Sequence, residues 1–390
     1  MDEIFKIFSL SWWTDANNNA LWVVDAILFL LLAIPVAYLL IFALASLRKY
    51  RNPYPRAKKQ HKFLILYATL RNGKEAIESI SHFLQTQDYP REKYDIAVAA
   101  TQVAEEDLAI LLNMPVTIVV PDQEQCTKVY AIQQVMERYS PKEYDAILLL
   151  DADNKVLPNT LNMLNDAYYS GCEAIQTHRK AENLNTPTAI LSATTEEINN
   201  RIFRKAHTQL GFSSALIGSG MMFDFRIFHD LAPRLTGSDL TTTTEWNFLK
   251  ENIYIEYLEE VICYCKKAES PSEYSKEHRR WLSRQISSMW LGFKSFPAAF
   301  IQGKWDMCDK LLQWMMPSRF MQIFYLAACT VVMMVLEWPL SIKWYVLDFV
   351  FLLAILMAMP EGELNTKFKQ SIWAMPFVLI KSFFSLGKKN

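Results

Sequence analysis

Ala146-Ile147-Leu148-Leu149-Leu150-Asp151-Ala152-Asp153-Asn154 is a run of five aliphatic residues followed at once by two carboxylates and a carboxamide. A short uncharged aliphatic run reads as a strand buried on both faces, as in parallel sheets. Ligands of open α/β sheets bind beyond the carboxyl ends of the strands. Asp151 and Asp153 would stand at such an end, two acids on one turn able to share a hard divalent ion, Mg or Mn, with a substrate phosphate. A D-x-D triplet is also what an ordinary acidic loop looks like, and its place at a strand terminus is what favours the metal.

Working outward, residues 63–69, 94–100 and 116–120 are further short apolar runs, separated by stretches of helical periodicity such as 74–85 and 128–139. That alternation predicts repeated βαβ units between about residues 60 and 270, an α/β domain with a mainly parallel sheet.

The chain's apolar residues pool at its two ends. No charged side chain occurs from Ala26 to Leu47, 22 residues where about 20 suffice to cross a bilayer as a helix. A cleaved signal peptide would have a shorter apolar core behind a basic segment, whereas residues 1–25 carry Asp2, Glu3, Asp15 and Asp25 against Lys6 alone. Residues 48–62 carry seven Lys and Arg and no acid. The positive-inside rule therefore puts residues 1–25 outside and residue 48 onward in the cytoplasm. Residues 320–336 and 344–360, with a polar break at 337–343, predict a helical hairpin within 319–360, flanked by Trp338 and Trp344. A buried core hairpin is the alternative. Within 361–390, residues 372–386 are apolar but for Lys381 and are followed by Lys388 and Lys389, which predicts an interfacial amphipathic segment, a fourth span being the alternative.

With 51% hydrophobic residues and 40 Lys and Arg against 41 Asp and Glu, the chain is too apolar and too evenly charged for a disordered or nucleic-acid-coating protein. Its six cysteines form no C-x-x-C pair, which argues against both a disulfide framework and a zinc site.

Five patterns in order carry a family resemblance: Gln87-Asp88-Tyr89-Pro90, Lys128 opening a helix, Leu150 to Asn154, Gly218-Ser219-Gly220-Met221, and Arg279-Arg280-Trp281. Together they resemble the membrane-anchored family 2 glycosyltransferases of bacterial cellulose-synthase and hyaluronan-synthase type. The resemblance implies a GT-A fold, a Rossmann-like mixed sheet flanked by helices, over residues 48–270, with interfacial helices over 271–318. It implies a multi-pass protein of the inner membrane with its catalytic domain in the cytoplasm. It also implies a nucleotide-sugar donor, UDP-linked rather than GDP-linked, and a glycan or lipid-linked acceptor. By matched position, Thr69, Asn72, Thr101, Lys128, Asp151, Asp153 and Arg280 would face the donor. Gly218, Ser219, Gly220 and Trp281 would form the acceptor floor, and Asp151 and Asp153 would hold the metal. A tight turn between strands is the plain alternative for the glycines, and a lipid-facing basic cluster for His278 to Arg284.

The family's base, an aspartate in an E-D pair, has no direct counterpart. An ungapped register places Thr241 there, leaving Asp239 and Glu245 as the acids that could take a proton. Asn72 stands where a glutamate is usual, and Glu277 replaces the glutamine of Q-x-x-R-W. The leading expectation is an inverting, metal-dependent glycosyltransferase. The alternative is a degenerate homologue acting as partner of an active synthase. Three spans are too few for a wide channel, so homo-oligomerisation would accompany any polymer export.

Overall fold

The computed structural model describes residues 20–49, 53–68, 73–122, 127–237, 239–362 and 366–369. Its centre is an eight-stranded sheet in the order β3-β2-β1-β4-β7-β6-β8-β5. The strands are β1 Phe63–Tyr67, β2 Tyr94–Ala99, β3 Thr117–Val119, β4 Ala146–Leu150, β5 Lys155–Val156, β6 Ala174–Ala181, β7 Met221–Asp224 and β8 Ile255–Cys265. β1 pairs in parallel with β2 and with β4, and β2 with β3. β7 is antiparallel to both β4 and β6, so the sheet is mixed, and β6 and β8 are again parallel. The strand order reverses between β1 and β4, which opens a crevice beyond Tyr67 and Leu150.

Both faces of the first strands are covered, as their unbroken apolar runs require. Leu64, Leu66, Ile147 and Leu149 pack on one side with Val129, Ile132, Phe228 and Phe248. Phe63, Ile65, Tyr67, Leu148 and Leu150 pack on the other with Ala76, Ile80, Leu111 and Leu161. The alternation along each strand follows the period of two that sends successive side chains to opposite faces.

Among the described residues three helices are long and apolar enough to cross a membrane: Trp22–Ser46, Arg319–Leu336 and Trp338–Met357. Two boundaries differ from the sequence reading. The first helix already includes Ala20–Asp25, and the polar break after Leu336 shrinks to Glu337, with Lys343 inside the following helix. One ion pair explains both. Lys343 and Asp25 are fully buried against each other, and Trp344 Nε1 donates to the same carboxylate at 2.7 Å. Mutual neutralisation lets two charges lie where each alone would be costly. Leu32, Val36, Leu39 and Ala43 of the first span, spaced three and four apart, pack with Trp344, Leu347, Phe351 and Ala354, and with Ile198, Ile202 and Ala206 of the sheet domain. The spans are thus joined to the domain through helix Pro187–Asn200 and the π-helical turn Arg201–Lys205 that continues it.

Between the sheet and the hairpin lie the long helix Pro271–Ile301 and the shorter Trp305–Met315. The first is started by a capping box, Ser270 with Glu273, and by Pro271 at a position where a missing N–H costs nothing. The expected interfacial segment beyond residue 369 lies outside the described residues.

Candidate functional site

The turn after β4 is built by Asn154, which is wholly buried. Its Oδ1 accepts the Asp151 N–H at 3.0 Å, and its own N–H donates to the Asp151 carbonyl at 3.0 Å. This closed turn holds both aspartates at the crevice. Asp153 accepts the Lys266 N–H at 2.8 Å through Oδ2 and the Asn154 amide at 3.1 Å through Oδ1. Burial, aided by the neighbouring Asp151 charge, raises the Asp153 pKa despite the Lys266 bond and the attraction of Arg179. Asp151 is ion-paired with Lys128.

Lys128 is the first residue of helix Lys128–Met136, whose N-cap Thr127 accepts the Tyr130 N–H. Its ammonium also donates to the Gly218 carbonyl at 2.6 Å, tying the aspartate turn to the glycine segment. Gly218 and Gly220 both have positive φ, +93° and +62°, and a Cβ on Gly220 would collide with Thr177. A Cβ on Gly218 would sit 3.8 Å from Thr241 Cγ2, so the helix Leu240–Lys250 begins directly against this turn. Its N-cap is Asp239, which accepts the Thr241 hydroxyl at 2.9 Å and the Thr242 hydroxyl at 2.6 Å. Asp151, Lys128 and Gly218 are thus linked in series, and Thr241, bonded to Asp239, lies close to the Gly218 end of that series.

The segment Ser213–Gly220 is held by side chains from many elements. Asp306 accepts the Ser213 N–H at 2.7 Å, Arg204 Nε donates to the Ala215 carbonyl at 3.1 Å, and Glu245 accepts the Leu216 N–H at 2.7 Å. Gln176 accepts the Ile217 N–H at 2.9 Å and donates to the carbonyls of Ser219 and Gly220, while Arg179 Nη1 donates to the Ile217 carbonyl at 3.1 Å. A regular strand would send Gln176 and Arg179 to opposite faces. The irregularity between Thr177 and His178 in the β6–β8 register lets both reach one loop. The backbone of this floor is thereby fixed before any ligand arrives.

Beneath it, Arg179 faces Glu196 at 3.4 Å, and Lys267 is ion-paired with Glu196. Burial alone would raise the Glu196 pKa, but the Arg179 and Lys267 charges bring it down to about 2. The half-buried Arg179 guanidinium attracts both Asp151 and Asp153.

The structure brings Lys128, Asp151, Asp153, Gly218, Ser219, Gly220 and Asp239 into one locality. Thr101 is buried just past β2. Glu245 is buried, accepting the Leu216 N–H of the floor segment and lying 3.5 Å from Lys310. Arg280 and Trp281 lie exposed on helix Pro271–Ile301, Trp281 stacked on His278 with ring centroids 5.5 Å apart. Glu277, one turn earlier on the same helix, is exposed as well. Thr69 and Asn72 lie outside the described residues. Sequence reasoning missed Arg179, Gln176 and Asn154. Only Asn154, adjacent to the D-x-D, carried a local signal, as a turn-forming carboxamide.

The mixed sheet, the acidic turn at its switch point and the rigid glycine floor define a GT-A-like transferase domain. A family model described as Glycosyltransferase like family 2 matches residues 75–283, more than half of the chain, and the chain belongs to that family. Among solved structures, mannosyltransferase PcManGT from Pyrobaculum calidifontis, in complex with GDP-Man and Mn2+, is similar with a TM-score of 0.56 at 14% identity, over 86% of this chain and 97% of that one. TarS 1-349 of S. aureus is matched over 56% of this chain and 63% of that one, at 14% identity and a TM-score of 0.38. Its complex with UDP-GlcNAc gives 14% identity, 56% and 64% coverage and a TM-score of 0.39. The likeness to PcManGT is one of fold. A comparison with curated proteins gave no match.

Proposed function

We propose that this transferase moves a sugar, with inversion, from a nucleotide-sugar donor to a hydroxyl of a glycan or lipid-linked acceptor at the cytoplasmic face of a membrane. The observation that supports the reading is that Asp151 is tied through Lys128 to Gly218, with Thr241 and Asp239 close to the same glycine turn, an arrangement that suits donor-side acids and a proton acceptor near one rigid floor. The basic run 48–62 following the first span supports the cytoplasmic orientation. Exposed Trp290, Phe293 and Trp305 support an interfacial placement of the helices that carry them.

The acids fit a hard divalent ion. Two carboxylates meet on one turn, and burial together with the neighbouring Asp151 charge raises the Asp153 pKa, which a bound cation would offset. Among the described residues no group of three His, Cys, Asp or Glu side chains gathers, so phosphate oxygens and water would complete the shell, as Mg and Mn accept. Asp151 and Asp153 would hold Mg or Mn, which offsets charge on the departing diphosphate. Lys128 and Arg179 add fixed positive charge at the same place.

Asp239 takes the acceptor proton, through the Thr241 hydroxyl that points at it. The acceptor oxygen then bonds to the anomeric carbon as the carbon–oxygen bond to the diphosphate breaks and the nucleoside diphosphate leaves. A threonine cannot hold that proton itself, but it can pass it to a carboxylate. Asp239→Asn keeps a good N-cap, so it is expected to fold and bind donor while losing at least a hundredfold in turnover; Thr241→Val should lose less. Full turnover in Asp239→Asn would remove the base assignment. The second reading, a binding partner of an active synthase, rests on Thr241 at the base position and predicts donor binding without turnover in the native chain.

A further inference from the structure

We propose that a second cavity, behind β6, binds the phosphoethanolamine headgroup of a membrane lipid. The cavity has a volume of about 280 Å³ and is lined on its polar side by His178, Lys180, Arg201, Lys205, Glu259 and Glu361. It is separate from the site above: Arg179 reaches the glycine floor, whereas His178 and Lys180, its two neighbours on β6, line the cavity. At the small end of ligand pockets, which run from roughly 300 to 1,000 Å³, it suits a headgroup and not a whole nucleotide sugar.

Its position points to the membrane. Pro360 and Glu361, which leave the last spanning helix, form one wall, and Arg201 Nη1 donates to the Met359 carbonyl at 3.0 Å. The opposite wall is the π-helical turn on which the first span packs.

Its charges select the ligand. Lys205 is 3.0 Å from Glu259, and His178 is 3.1 Å from Glu197, so these neutralise each other. The side chains of Lys180, Arg201 and Glu361 remain without an ion pair to a described residue, two cations and one anion, with Lys180 and Glu361 exposed. A ligand whose phosphate meets the two cations and whose ammonium meets Glu361 satisfies all three. A purely anionic headgroup would leave Glu361 facing like charge. A quaternary ammonium prefers an aromatic cage, and the lining offers one aromatic ring, Tyr257, beside three carboxylates that can accept bonds from a primary ammonium.

The test uses the full chain in nanodiscs of equal phosphatidylethanolamine, phosphatidylglycerol and phosphatidylcholine, released into detergent and weighed by native mass spectrometry. The expected result is one phosphatidylethanolamine retained per chain, with Lys180→Ala and Glu361→Gln each lowering retention at least tenfold at unchanged thermal stability. Displacement by soluble glycerophosphoethanolamine would place recognition in the headgroup alone; no displacement, with both variants still defective, would assign it to the intact lipid. Equal retention of the three lipids, or wild-type retention in both variants, would overturn the proposal. Nucleotide-sugar binding is not used as a readout, so the outcome stands apart from the proposed transfer reaction.

Discussion

Glu245→Gln separates a structural acid from a catalytic one. Glu245 and Lys310 are 5% and 1% exposed at their side chains and 3.5 Å apart. Removing one partner of a buried pair costs about 3–5 kcal/mol, because the other charge is left uncompensated. Glutamine can still accept the Leu216 N–H, and Gln313 offers Lys310 another oxygen at 3.3 Å, so the lower end, about 3 kcal/mol, is expected. For a domain of roughly 200 residues each kcal/mol moves Tm by about 2–4 °C, which gives a fall of about 6–12 °C. Thermal unfolding in detergent by intrinsic fluorescence, which the tryptophans supply, reads this directly. Adding Lys310→Met removes the orphaned charge and should recover most of the loss, a double-mutant cycle that a base role would not produce. A Glu245→Gln protein that melts like wild type and has lost turnover would refute the reasoning and make Glu245 the base.

Two further outcomes follow from pKa shifts. Glu196 is depressed from 4.5 to about 2, so its contribution, about 3 kcal/mol, is present above pH 4.5 and is lost as pH falls toward 2. Glu196→Gln should flatten that acid limb of the stability curve, and an unchanged limb would contradict the pairing with Arg179 and Lys267. Asp153 is shifted the other way. Because a metal binds only its ionised form, Mn affinity should weaken on acidification at a pH above the usual aspartate range, up to tenfold per unit, and Asp153→Asn should abolish this dependence in a titration followed by calorimetry.

Much of the sheet was legible because β1, β2 and β4 are nearly wholly buried and therefore read as apolar runs. The second half was not. β5 has two residues and β7 four, too short for periodicity, and β8 carries Glu256, Glu259 and Glu260 within its strand. Local sequence also could not show that Lys343 and Asp25, 318 positions apart, would meet in one interior, so each was read as lying outside a span. The candidate site divides in the same way. Asp151 and Asp153 announce themselves by adjacency to a strand. Arg179 and Gln176 reach the glycine floor only through a strand irregularity that no alternation pattern encodes. Asp239 and Glu245 are alike in sequence, and only the fold separates them: one caps its helix beside Gly218, the other is buried against Lys310.

The most direct measurement is donor binding and slow hydrolysis by the detergent-purified chain across UDP- and GDP-sugars, with and without Mg or Mn, beside Asp153→Ala. The expected result is saturable, metal-dependent binding of one donor class with detectable hydrolysis, both lost in Asp153→Ala at unchanged thermal stability. Donor binding indifferent to metal and to Asp153→Ala, or no binding across the panel, would contradict the assignment of this crevice to nucleotide-sugar transfer.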